Sequence, residues 1–167
     1  KDSEAFLEGS APWEKIQSVD KIIGIATDIL DSLISEETQV IGVTGQMHGI
    51  VYVDDKGNHL SPLYTWQDGR GNQSFGDTTY ADYLGCSGYG HVTDFYNRHN
   101  KLVPRNAVSF CTIQDYFVMR LCELTKTLVH STDAASFGLF DLKERRFTCD
   151  SSIEIVDGYR LVGKYKN

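Results

Sequence analysis

Val40-Ile41-Gly42-Val43-Thr44-Gly45-Gln46-Met47-His48-Gly49-Ile50-Val51-Tyr52-Val53 places two short apolar runs on either side of two glycines that bracket three larger side chains. Short apolar runs bounded by glycine are the pattern of buried strands. Residues 40–44 therefore read as one strand and 50–53 as a second. A strand that ends in Gly-x-x-x-Gly lets the backbone turn sharply and come close to a ligand. The residues between the glycines then project from the strand end, where α/β sheets bind small molecules. Gln46 and His48 can each donate and accept hydrogen bonds, which a molecule rich in hydroxyls requires. Spacing alone leaves open a tight β-hairpin in which His48 is only a satisfied polar residue.

Upstream, Ile16, Val19, Ile22, Ile23, Ala26, Ile29, Leu30 and Leu33 recur at three and four. This is the stripe of an amphipathic helix from about Pro12 to Leu33, with Pro12 suited to its first turn. Downstream, Asp54-Asp55-Lys56-Gly57-Asn58 is a turn. Leu60 to Trp66 reads as a third strand and residues 67–72 as a loop. Short helices are expected near Thr79–Leu84 and Val92–His99, a strand at Val108–Cys111 and a helix at Ile113–Leu124. A hairpin is expected to turn through Lys143–Arg146. Strands alternating with helices indicate an α/β class.

A second segment, Tyr64-Thr65-Trp66-Gln67-Asp68-Gly69-Arg70, ends a strand with an indole and follows it with an amide, a carboxylate and a guanidinium. An indole face can cover sugar C–H groups while Asp68 accepts from neighbouring hydroxyls. Hydrogen bonds to a charged group are worth about 1.5–3 kcal/mol, against about 1 for neutral pairs. A core Trp with an Asp68–Arg70 turn contact fits the same residues.

The bulk numbers exclude several classes. The formal net charge of −7 disfavours nucleic acid and anionic membranes as partners. No window is apolar enough to span a bilayer, and Lys1-Asp2-Ser3-Glu4 lacks the basic and apolar regions of a signal peptide. Cys86, Cys111, Cys122 and Cys149 are widely spread without CxxC or metal-ligand spacing. Reduced, mostly buried thiols in a cytoplasmic protein are therefore expected. Gly85-Cys86-Ser87-Gly88-Tyr89-Gly90 has no strong strand before it, which argues against a phosphate loop.

The two segments, with Cys111-Thr112-Ile113-Gln114-Asp115-Tyr116 and Ser131-Thr132-Asp133-Ala134-Ala135-Ser136-Phe137-Gly138-Leu139-Phe140-Asp141, resemble the FGGY carbohydrate kinase family, in particular its sedoheptulokinase-like members. The resemblance runs from about Trp13 to Phe147. It implies an incomplete ribonuclease H-like, actin/hexokinase-type first domain. Residues 1–12 are then a lead-in, 13–150 the sugar-binding side, and 151–167 a tail that matches no family motif.

By the same resemblance, Gln46, Met47 and His48 belong to the sugar pocket, Trp66 and Asp68 to its opposite wall, and Arg70 braces Asp68. Asp115, Tyr116 and Asp133 are assigned structural roles. The family's Asp-x-Gly-Thr phosphate turn and its later base-bearing turn have no counterpart here, so no catalytic residue and no metal ligand is assigned. The expected parent reaction is transfer of the ATP γ-phosphate, with Mg²⁺, to a ketose hydroxyl of sedoheptulose, xylulose or ribulose, with no cofactor bound by this stretch alone. A non-catalytic sugar-binding module of the same fold is the alternative. An edge left by absent strands is expected to promote self-association.

Overall fold

The computed structural model describes residues 4–158 and 160–165; the leader reading at residues 1–3 and parts of the tail fall outside them. The centre is an antiparallel pair that lies far apart in sequence. Strand β2 (Val51–Val53) runs against β6 (Ser109–Cys111), with Tyr52 opposite Phe110. β2 carries no polar side chain facing water, since Val51, Tyr52 and Val53 are all buried. With Leu63, Met119, Val129 and Phe137 they form the core. Each fully buried aliphatic or aromatic side chain contributes about 1.5–3 kcal/mol.

The first helix, α1 (Val19–Leu33), starts later than Pro12 because other structure claims the preceding segment. Ser18 caps it, its Oγ accepting from the Lys21 N–H at 3.3 Å. Ile16–Gln17, read from the sequence as part of the helical stripe, is strand β1 and pairs antiparallel with β3 (Leu63–Tyr64). Only Val19 of α1 is buried, and Leu33 is 73 % exposed.

Residues 40–44 are a correction. They form no strand, and Val40 is 71 % exposed. A strand exists only where its N–H and C=O groups find a ladder partner, and no described residue supplies one. β2 does form as expected, and its closing turn is held by Asp54 Oδ1, which accepts from the Lys56 and Asn58 N–H groups at 2.9 and 2.8 Å.

Residues 67–72 are not a plain loop: Gly69–Asn72 is a 3₁₀ helix capped by Asp68. A hairpin of β4 (Ser74–Phe75) and β5 (Thr78–Thr79) follows, then α2 (Tyr80–Leu84) and α3 (Gly90–His99). Helix α4 (Ile113–Leu121) is capped by Thr112 and stops before Leu124. There the Leu124 N–H returns to the Met119 carbonyl at 2.9 Å. Glu123 takes a left-handed φ of 53°, a common way for a helix to end.

Strand β7 (Leu128–His130) feeds α5 (Ser131–Ser136), and β8 (Phe140–Asp141) pairs with β9 (Arg146–Phe147) across the expected hairpin. Part of the tail is structured: β10 (Glu154–Val156) lies parallel to β7, with Ile155 beside Val129. The expectation of mostly buried thiols holds for Cys111 alone; Cys86 is exposed and the other two are half-buried. Among the described residues no helix is long and apolar enough to cross a membrane.

Candidate sugar site

The Gln46-Met47-His48-Gly49 segment leaves the irregular chain and enters β2 through a three-residue turn. The Gly49 N–H donates to the Met47 carbonyl at 2.9 Å, with His48 between them at a φ of 71°. Positive φ is uncommon for a side-chain-bearing residue and persists only where surrounding contacts hold it. Gly49 is required for a different reason. A Cβ there would lie 2.6 Å from the Tyr64 carbonyl oxygen, and Ile50 and Tyr64 exchange N–H···O bonds of 3.0 Å across this approach.

Two contacts from α5 hold His48. Its N–H donates to Ser136 Oγ at 3.0 Å, and its Nδ1 lies 2.6 Å from the Ser136 carbonyl oxygen. The imidazole stacks on Tyr89, with ring centroids 4.8 Å apart and planes 4° from parallel. Tyr89 and Ser136 were not identified from the sequence as site residues. Ser136 lies inside the fourth family motif, which was a usable signal; Tyr89 is flanked only by glycines.

A cavity of about 570 Å³ opens beside this turn. Its lining includes Gln46, Gln17, Thr65, Trp66 and Gln67, with aliphatic side chains of α1 behind them. Gln46 Nε2 donates to Gln17 Oε1 at 3.0 Å, and Trp66 is half-exposed. Gln46 and Trp66 therefore share one cavity. Met47 (52 % exposed) and His48 lie on the adjoining turn and are not part of its lining.

Asp68 departs from the sequence expectation. It is 1 % exposed. Its Oδ1 accepts from the Arg70 N–H at 3.0 Å and from Nε at 2.6 Å. Its Oδ2 accepts from the Lys15 N–H at 3.0 Å and from Arg70 Nη2 at 3.2 Å. A carboxylate offers about four acceptor positions, and protein donors fill them. In this structure Asp68 anchors the loop that follows Trp66 and offers no oxygen to a hydroxyl. Arg70 is equally enclosed: Nη1 donates to Asn97 Oδ1, and the guanidinium lies 4.0 Å from the Tyr64 ring centroid.

Behind the turn, α4 and α5 bring two buried carboxyls together. Burial, then the neighbouring Asp133 carboxylate, push Asp115 up to about 7. Asp133 is also raised, chiefly by burial. Thr112 Oγ1 donates to Asp115 Oδ2 at 2.6 Å, and Ser136 Oγ donates to the Asp133 carbonyl at 2.7 Å. The glycines of 85–90 serve packing. A Cβ on Gly88, at a φ of 87°, would lie 2.0 Å from the Trp66 carbonyl oxygen, and one on Gly90 would meet the Phe137 ring at 2.5 Å.

No protein-family model matches the chain. In sequence it is similar to the sedoheptulokinase of Mus musculus, at 32 % identity over 174 residues covering 90 % of this chain and 36 % of that one. It is 27 % identical to the sedoheptulokinase of Homo sapiens, covering 89 % and 36 %. In structure it is similar to a ligand-bound xylulose kinase from Lactobacillus acidophilus, with a TM-score of 0.80, 16 % identity, and coverage of 96 % of this chain and 37 % of that one. The chain thus spans about 36 % of the length of the sedoheptulokinases it matches.

The fold is a partial domain of the actin/hexokinase-like type seen in sugar kinases. Its relatives in sequence are sedoheptulokinases, and its structural neighbours are FGGY-family xylulose and gluconate kinases.

Proposed function

We propose that this chain forms the sugar-binding side of a kinase that moves the ATP γ-phosphate to a hydroxyl of a ketose, with sedoheptulose as the first candidate and xylulose or ribulose next. The shared cavity of Gln46 and Trp66, with His48 on its adjoining turn, carries the reading. Gln46 offers an amide donor and acceptor, Trp66 an indole, and His48 a ring nitrogen. Met47 adds an apolar contact at the rim. Asp68, its oxygens engaged, supports Trp66 together with Arg70.

Phosphoryl transfer depends on positioning and charge stabilisation, and this chain contributes the positioning of the acceptor. Mg²⁺ would enter with the ATP phosphates. The described residues hold no group of three or more His, Cys, Asp or Glu side chains that could hold a metal ion. The 85–90 glycines pack on Trp66 and Phe137, so they do not fit a nucleotide. No step is assigned to either group through these residues. ATP supply favours a cytoplasmic setting. Residues 40–44, without a ladder partner among the described residues, offer an edge for self-association.

Titration of sedoheptulose, D-xylulose and D-ribulose against the chain, followed by fluorotryptophan NMR, tests the binding. Sedoheptulose should move the Trp66 signal and leave Trp13 in place. If no ketose moves it, the sugar reading fails. Light scattering that finds only monomer at high concentration would sink the edge-pairing idea.

A further inference from the structure

We infer that His48 is locked as the Nδ1–H tautomer, so that Nε2 can only accept, and that Ser136 and Tyr89 are the positioning residues that keep it so. The inference deepens the sugar reading and rests on it only for the identity of the hydroxyl that Nε2 meets.

The tautomer follows from the partner. The Ser136 carbonyl oxygen has no proton to give, so an imidazole nitrogen 2.6 Å away must be the donor. In neutral imidazole the other nitrogen then carries the lone pair. No hydrogen-bond partner for Nε2 is found among the described residues, whereas Nδ1 and the backbone N–H are both engaged. A half-turn of the ring keeps its plane on Tyr89 but puts a carbon where Nδ1 stood and loses the bond to the Ser136 carbonyl.

Tyr89 is itself confined. Its ring packs against Gly138, where a Cβ would approach it to 3.1 Å. The next residues dock on α5 through the His91 N–H, which donates to the Phe137 carbonyl at 3.0 Å. The start of α3 and the end of α5 therefore close on His48 from two sides. A non-glycine residue in the left-handed region, as His48 is, needs such support. The consequence is a polarity rule: this position takes a hydroxyl that donates, and rejects a ligand group that can only accept.

Long-range proton–nitrogen NMR on the chain labelled at its five histidines reads the tautomer directly. His48→Gln assigns the signal. In the wild type, His48 should show a pyrrole-type Nδ1 and a pyridine-type Nε2. Tyr89→Phe, which keeps the stack, should leave this pattern intact. Tyr89→Ala, which removes the stack, should mix the tautomers and weaken ketose binding about five- to tenfold, the equivalent of one hydrogen bond. Ser136→Ala keeps the carbonyl, loses only the Oγ partner of the His48 N–H and should keep the Nδ1–H pattern. If Tyr89→Ala loses the amide dispersion of a folded chain, Tyr89→Leu, which keeps an apolar side chain without a stacking ring, takes its place.

A pyridine-type Nδ1 in the wild type overturns the inference, as does an unchanged pattern in a folded Tyr89→Ala or Tyr89→Leu chain. A ketose should shift Nε2 as it gains a proton donor. An intact Nδ1–H tautomer that no ketose perturbs leaves the geometry standing and sinks the sugar reading.

Discussion

Arg70 grips Asp68 with two bonds, Nε to Oδ1 at 2.6 Å and Nη2 to Oδ2 at 3.2 Å, where each residue is 1 % exposed. The pair is separated by one glycine in sequence, yet the Lys15 N–H completes it from 53 positions away. It fixes the direction in which the chain leaves Trp66.

Removing one member of a buried pair leaves the other charge unpaired, at a cost of about 3–5 kcal/mol. Arg70→Met should lower stability by about that much in urea unfolding. Arg70→Lys should recover little, because an ammonium cannot replace a two-pronged guanidinium stacked on Tyr64. Full recovery by Lys would show that charge alone matters here.

Gly88→Ala should be poorly tolerated. The backbone there, at a φ of 87°, disfavours a side chain, and the added carbon would fall 2.0 Å from the Trp66 carbonyl oxygen. A displaced Trp66 and a stability loss of about 2 kcal/mol or more are expected. Fluorotryptophan NMR would report Trp66 moving while Trp13 stays. An unshifted Trp66 signal would mean that the loop yields instead.

The carboxyl pair of Asp115 and Asp133 makes stability depend on pH with a definite sign. The folded state holds Asp115 at about 7, above its ordinary value of 3.8. Its contribution is therefore fully present below about pH 4 and is lost as pH rises toward about 7, by up to a few kcal/mol. Asp115→Asn should abolish that loss. The gap between variant and wild type, measured by denaturation at several pH values, should move in the variant's favour across that range. A gap independent of pH would refute the shared burial.

Gln46→Ala and Trp66→Ala should each weaken ketose binding about five- to tenfold, the loss of roughly one neutral hydrogen bond or its equivalent in contact. Little effect on stability is expected, because both side chains line an open cavity. Calorimetric titration checks this. Asp68→Asn should instead act mainly on stability, since its oxygens are already occupied.

Local chemistry was legible from the chain itself. Asp54 closing its own turn and the helical stripe of α1 each depend on residues a few positions apart. The family motifs marked out Gln46 with His48, and Trp66 with Asp68, for the same reason, since each motif is a contiguous stretch. Tertiary structure decided the rest. Whether 40–44 is a strand depends on a ladder partner, and whether α1 begins at Pro12 depends on β3 capturing Ile16 and Gln17. Whether Asp68 is free for a ligand depends on Lys15, and which nitrogen His48 presents depends on a carbonyl 88 residues away. A residue's type states which hydrogen bonds it can make. Only the packing of distant segments determines which of them are already made.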